Sequence, residues 1–275
     1  MNYRHAYHAG NFADVLKHAV LVWLVRYLQQ KPGPLCLIDS HGGAGLYDLS
    51  APAAQKTDEA AGGILRLAAA GARPAVLDSY WDLVRRANIG DPVLHYPGSP
   101  WLMAAMLRPQ DRAVIGELHA EEAAALRPCL ARFERVRVVE GDGYVLLSNS
   151  VPPPEKRGLV LIDPPFEEGD EFEKVARSVI AAHGKWPTGT YLIWYPQKDA
   201  GAVERFHGEL TNAGVAKMAT IALDTDGGDG LSACGLLVIN PPWTLEQEWR
   251  EPLLWLARTL ARGPKPAGAL VTLTR

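Results

Sequence analysis

Seven short runs of nearly unbroken apolar residues recur along the chain, and helix-length segments separate most of them. The runs span 35–41 (LCLIDSH), 112–119, 136–143, 159–165, 190–196, 218–224 and 234–240. Strands that are apolar at every position, not every second one, are buried on both faces. Such strands need helices above and below them, which predicts a mostly parallel, doubly wound α/β sheet. Helical periodicity falls at 12–30, 121–133, 171–184 and 202–214. The last two strands are joined by the Gly/Asp-rich DTDGGDGLSA with no helix, so they are predicted to pair antiparallel.

One interval breaks the alternation. Roughly 65 residues separate the turn after the first strand from the second strand, against the ~10–12 that a crossover needs. Much of it reads as helix, so 47–95 is predicted as a small inserted helical subdomain, with 1–46 and 96–275 forming the main domain. The segment YPGSP restarts the main fold, and Ser99 before Pro100 reads as an N-cap followed by an N1 proline. At 275 residues and 48% apolar content the chain can build a sizeable core. Its net charge of −3 rules out a strongly basic nucleic-acid binder, so any such contact must come from a local patch. Three scattered cysteines, Cys36, Cys129 and Cys234, form no C-x-x-C pair and suit a reducing compartment. The polar start MNYRHAYHAG and the lack of a ~20-residue apolar run predict a soluble, cytoplasmic protein.

Five groups of residues carry chemistry. The most specific is Asp163-Pro164-Pro165-Phe166, which ends the strand at 159–165. Neither proline has an N–H for a ladder, so the strand stops and a carboxylate is held on a stiff turn. An exocyclic amine on a base is a poor nucleophile, because its lone pair is delocalised into the ring. Asp163 and the Pro164 carbonyl, by accepting both N–H protons, would favour a pyramidal nitrogen able to attack an electrophilic methyl group. Phe166 can stack on an extruded base. A second tetrapeptide, Asn240-Pro241-Pro242-Trp243, has the same form. Ligand crevices of open α/β sheets lie at the carboxyl ends of the parallel strands. The final strand is the antiparallel one, which predicts that this copy is a structural cap away from the crevice.

The other four are weaker taken singly. LIDSHGGAG (37–45) ends a strand in an acid, His41 and a glycine-rich turn that lets a ligand approach the backbone, and a mere tight turn explains it equally well. Glu117, at the end of the second strand, can accept from ribose hydroxyls, as a solvated strand-end acid also would stand there. Asp142 and Gly143 end the third strand and suit either an adenine amino group or an Asp-Gly turn. The N-terminal YRHAYHAGNFADVLKH gathers Tyr3, His5, His8, Lys17 and His18. Asn11 and Asp14 have capping-box spacing there. The segment reads either as a capped polar helix or as a local cationic arm that meets phosphate or a cofactor.

Together these strings resemble the RlmJ family of 23S ribosomal RNA adenine-N6 methyltransferases. The likeness covers nearly the whole chain: YRHAYHAGNFADVLKH, DSHGGAGLY, YPGSP, ELH, GDGY, LIDPPF, GTYLIWYP and VINPPW. It implies a class I, Rossmann-like methyltransferase fold with a seven-stranded sheet, one strand antiparallel. It implies S-adenosyl-L-methionine as donor and an adenine of 23S rRNA as acceptor. Carried over by position, His18, His41, Ser99, Glu117, Asp142, Gly143 and Asp163 line the donor site. Asp163, Pro164 and Phe166 are the catalytic corner, and Tyr3, His5 and Lys17 serve the RNA substrate. Phe166 stands where the family commonly has Tyr, and Gly42 where Ala is usual, which is expected to be tolerated. The expected partner is 23S rRNA, with no membrane and no metal, and the expected assembly is a monomer. The alternatives are a DNA-adenine or small-substrate amino-methyltransferase, a non-catalytic RNA-binding relative, and a nicotinamide oxidoreductase on a similar sheet.

Overall fold

The strand at the centre of the sheet is also the first in the chain. In the computed structural model, which describes residues 5–88, 92–228 and 230–274, β1 (Cys36–Asp39) pairs in parallel with β4 (Arg112–Glu117) on one side and β6 (Gly158–Ile162) on the other. Outside them lie β5 (Val136–Glu140) and β7 (Thr190–Pro196), both parallel. Beyond β7 comes β9 (Ala233–Ile239), antiparallel both to β7 and to β8 (Met218–Asp224). The full order is β10-β8-β9-β7-β6-β1-β4-β5, in which β10 (Ala267–Thr274) pairs antiparallel with β8. The seven expected strands and the antiparallel one among them are present. The eighth, β10, is an addition to the expected sheet, as is its antiparallel pairing.

The central strands are apolar at nearly every position because each face meets its own core. Leu37, Leu159 and Leu161 join the core formed with α1 (Phe12–Gln29), whereas Cys36, Ile38, Val160 and Ile162 join the other. The second core is closed by α7 (Gly143–Ser150), α8 (Glu171–Lys185) and α9 (Ala200–Asn212). Helix α1 is buried over Phe12–Val25, on all sides, because it is sandwiched between the sheet and later helices. On the same face lie α5 (Ser99–Met106), α6 (Ala120–Leu130) and α10 (Leu245–Thr259).

The long interval between β1 and β4 leaves and re-enters the main fold through a two-stranded ribbon, β2 (Leu46–Asp48) and β3 (His95–Pro97), with Tyr47 opposite Tyr96. Between the ribbon strands lie α2 (Pro52–Thr57), α3 (Ile64–Ala69) and α4 (Asp78–Ala87). This segment is fastened to the start of α1. Ile64 N–H donates to the Gly10 carbonyl at 2.8 Å, and Glu59 accepts from Asn11 Nδ2 at 3.0 Å.

Two local expectations are corrected. Ser99 is not an N-cap: the cap of α5 is Gly98, and Ser99 is already inside the helix. Asp14 does not close a capping box with Asn11. Asn11 Oδ1 accepts from Asp14 N–H at 2.9 Å, but the Asp14 carboxylate accepts from Gly10 N–H, also at 2.9 Å, and is thereby turned inward. Among the described residues, no helix is long and apolar enough to cross a membrane.

Candidate active site

Parallel strands deliver their carboxyl ends to one edge of the sheet, and the chain is irregular there. β1 runs into Ser40-His41-Gly42-Gly43, β4 ends at Glu117, β5 leads to Asp142, and β6 leads to Asp163-Pro164-Pro165-Phe166. These turns and the first turns of α1 surround a cleft of about 660 Å³. The expected donor-site residues His18, His41, Ser99, Glu117, Asp142 and Gly143 all line it. So do the corner Asp163, Pro164 and Phe166, and His5 and Lys17 from the N-terminal segment. Tyr3 lies outside the described residues. The rival Asn240-Pro241-Pro242-Trp243 is not on this cleft. β9 runs the other way, Asn240 Nδ2 donates to the carbonyls of Pro187 and Gly189, and Trp243 is 82% exposed.

The glycines are there for space. Gly43 sits at φ +63°, where its N–H donates to Glu117 Oε2 at 2.7 Å. Glu117 Oε1 accepts from His119 N–H at 2.7 Å, so the acid is clamped by backbone on both oxygens. A carboxylate has about four acceptor positions, which leaves capacity for a ligand hydroxyl. A Cβ on Gly143 would stand 2.1 Å from the Ser40 carbonyl, so the start of α7 can approach the end of β1 only without a side chain. Asp142 caps α7, its Oδ1 accepting from Tyr144 and Val145 N–H at 2.8 and 2.9 Å, and its Oδ2 points no bond at the described chain. Asp142 is thus a turn and cap residue whose second oxygen remains available on the cleft lining.

Behind the cleft, Asp39 is fully buried, and its Oδ2 has no hydrogen-bond partner. Burial pushes its carboxyl up to about 7, although the Ser99 hydroxyl and His41 N–H oppose this. His41 is lowered to about 4 by burial and is neutral, with Nδ1 2.7 Å from Ser40 Oγ. His18 is likewise held neutral by burial, and its Nδ1 meets the Tyr96 hydroxyl at 2.7 Å.

The N-terminal segment corrects the sequence reading of a cationic arm. Lys17 is not free to meet phosphate: its Nζ bonds to Asp163 Oδ2 and lies 2.8 Å from Asp14 Oδ1, and the residue is 4% exposed. Burial opposes its charge, but Asp14 and then Asp163 raise its affinity for the proton, so it stays an ammonium ion. Asp14 holds this cluster together. Its Oδ2 also takes His5 Nε2 at 3.0 Å, and the His5 and Lys17 charges hold the acid well below the usual carboxylate range despite burial. His8 bonds Glu59 at 2.8 Å, which raises its proton affinity. Sequence reasoning missed Glu59, and it saw Asp14 only as a helix-start residue. The i,i+3 spacing of Asp14 and Lys17 on one helix face is the signal that was legible for that pair.

Phe166 is held at φ +44°, with its ring edge-on to Phe172 at 4.8 Å and to Trp194 at 5.7 Å. Trp194 and Pro196, from the end of β7, also line the cleft beside it. The part of the cleft lining that includes Asp163 thus also has aromatic side chains.

A model of the family described as "Ribosomal RNA large subunit methyltransferase D, RlmJ" matches residues 32–270. The chain belongs to the RlmJ family. It is 37% identical over 272 residues to "Ribosomal RNA large subunit methyltransferase J" of Escherichia coli K12, covering 98% of this chain and 95% of that one. It is 38% identical over 265 residues to the protein of the same description from Haemophilus influenzae, covering 94% of each. A crystal structure of a protein from Legionella pneumophila superposes with a TM-score of 0.89 at 34% identity, over 96% of this chain and 98% of that one. The RlmJ-family methyl donor, S-adenosylmethionine, suits the donor set of the cleft. Glu117 can take hydroxyls, Asp142 Oδ2 can take an amine, and an acidic lining favours a cation. Among the described residues, no group of three His, Cys, Asp or Glu is placed to hold a metal ion.

Proposed function

We propose that this chain methylates the N6 amine of one adenine in 23S rRNA, with S-adenosylmethionine as donor. The observation that carries the reading is the corner at the end of β6. Asp163 Oδ2 is occupied by the buried Lys17 ammonium, and Oδ1 takes no hydrogen bond from any described residue. Lys17 therefore fixes the rotation of the carboxylate and leaves one oxygen facing the cleft. That oxygen and the Pro164 carbonyl can accept the two N–H protons of an exocyclic amine. The amine lone pair is then turned out of conjugation.

When bound, the donor supplies a methyl group on a positively charged sulfur. The chain's own contributions are positional and electrostatic. Glu117, Asp142 and the glycine turns hold the donor on the β1–β5 side, and Phe166 with Trp194 holds the base on the β6–β7 side. Alignment of this kind supplies a large part of the acceleration for two reacting groups. The new N–C bond forms as the S–C bond breaks, and the nitrogen releases one proton toward the Asp163 Oδ1 side, which is open to the cleft. An adenine can reach this depth only if it leaves its stack, which the aromatic walls make less costly.

The test is transfer of labelled methyl from S-adenosylmethionine to 23S rRNA from a strain lacking the modification, with DNA and free nucleosides alongside. Asp163→Ala is expected to lose at least about 10²-fold in kcat while keeping its fold, because Lys17 retains Asp14. Full activity in that variant, or equal transfer to DNA, would overturn the reading.

A further inference from the structure

The cleft lining carries nine carboxylates and three lysines. Such a lining suits a cationic donor and repels a polyanion, so an RNA strand must approach where the field is least negative. The three lysines differ sharply. Lys17 is buried between Asp14 and Asp163, and Lys174 on α8 is paired with Glu168 and Asp170. Lys198 is exposed and makes no ion pair with any described residue. It stands in the turn between β7 and α9, four positions after Trp194, and lines the same cleft as His8. The β6–α8 side of the cleft carries Glu167, Glu168 and the buried Glu171, with Asp170 next to them in sequence; the one lysine there, Lys174, is already paired with Glu168 and Asp170, so this side keeps a net negative charge that disfavours phosphate.

We propose that Lys198 binds a backbone phosphate of the RNA strand next to the extruded adenine, so that the strand enters over the β7–α9 turn and not over the β6–α8 loop. This rests on the proposed RNA-adenine activity and adds a direction to it. With the base beside Phe166 and Trp194, the sugar-phosphate must leave the cleft at its mouth, where Lys198 is the lysine of the lining that is in no ion pair among the described residues.

The experiment measures KM and kcat on unmodified 23S rRNA at several salt concentrations, for wild type, Lys198→Ala, Lys198→Arg and Lys31→Ala, a distant exposed lysine. Lys198→Ala is expected to raise KM about three- to tenfold, with kcat within about twofold, and to flatten the log KM–log salt slope by about 0.7. Lys198→Arg should restore most of the affinity, and Lys31→Ala should change nothing. Unchanged KM and slope in Lys198→Ala overturn the proposal, as does a loss confined to kcat. The two readings fail separately. Wild type that transfers no methyl to RNA sinks the activity, whereas active wild type with an indifferent Lys198 sinks only the strand path.

Discussion

Lys17 is a buried strut between two acids, Asp14 and Asp163. Lys17→Met should leave Asp14 and Asp163 facing each other without their cation. Removing one partner of a buried charge cluster costs about 3–5 kcal/mol, so Tm should fall by on the order of 10 °C. Turnover should be lost even with saturating donor, and thermal melts with single-turnover assays check both effects. The buried Asp39 predicts a pH effect of definite sign. Its carboxyl binds a proton more tightly in the folded chain, at about 7, than at its ordinary value of 3.8. Its contribution to stability is therefore full below that ordinary value, is lost as pH rises, and is gone above about 7. Wild type should lose stability relative to Asp39→Asn across that window, read from melts between pH 4.5 and 8. The corner that ends β6 on the cleft was legible, because two prolines after an apolar strand have a local cause. The clamp on it was not, since it joins positions 146 apart in sequence.

At the scale of elements, alternating apolar runs exposed the central strands, but the pieces without such a signature stayed hidden. α10 contains Pro252, which reads as a break, although the proline is accommodated within the helix. β10 is an edge strand with no buried position, half of its residues being exposed, so it lacks the continuous apolar character of its neighbours. α7 has eight residues and begins where an Asp-Gly turn was expected. Its start makes a sharp test. Gly143→Ala must drive its Cβ against the Ser40 carbonyl, costing about 1–3 kcal/mol and weakening donor binding in calorimetry. Gly184→Ala, inside α8 with open space around it, should instead raise Tm slightly. Gly42 is also tight, with a Cβ falling 2.6 Å from Ile115 Cγ2. An alanine there would require the isoleucine to turn aside.

For the whole molecule, the balance of charge sets how RNA is met. With a net charge of −3 and an acidic cleft, the wild-type enzyme should show a shallow dependence of RNA affinity on salt, with few phosphates neutralised. A steep slope from 50 to 200 mM salt would show that a larger basic face engages the substrate. The segment between β1 and β4 tightens this picture, because Glu59 ties it to His8 and Asn11 at the rim of the cleft.

Two tetrapeptides of the same form stand on neighbouring regions of one sheet, and each places an L-residue in the left-handed region, Phe166 in one and Asn240 in the other. One lines the cleft and the other fastens the loop before β7 through Asn240, because their strands travel in opposite senses. A text search would score them alike. Orientation, which no string of letters records, is what separates a working hand from its reflection on the other rim.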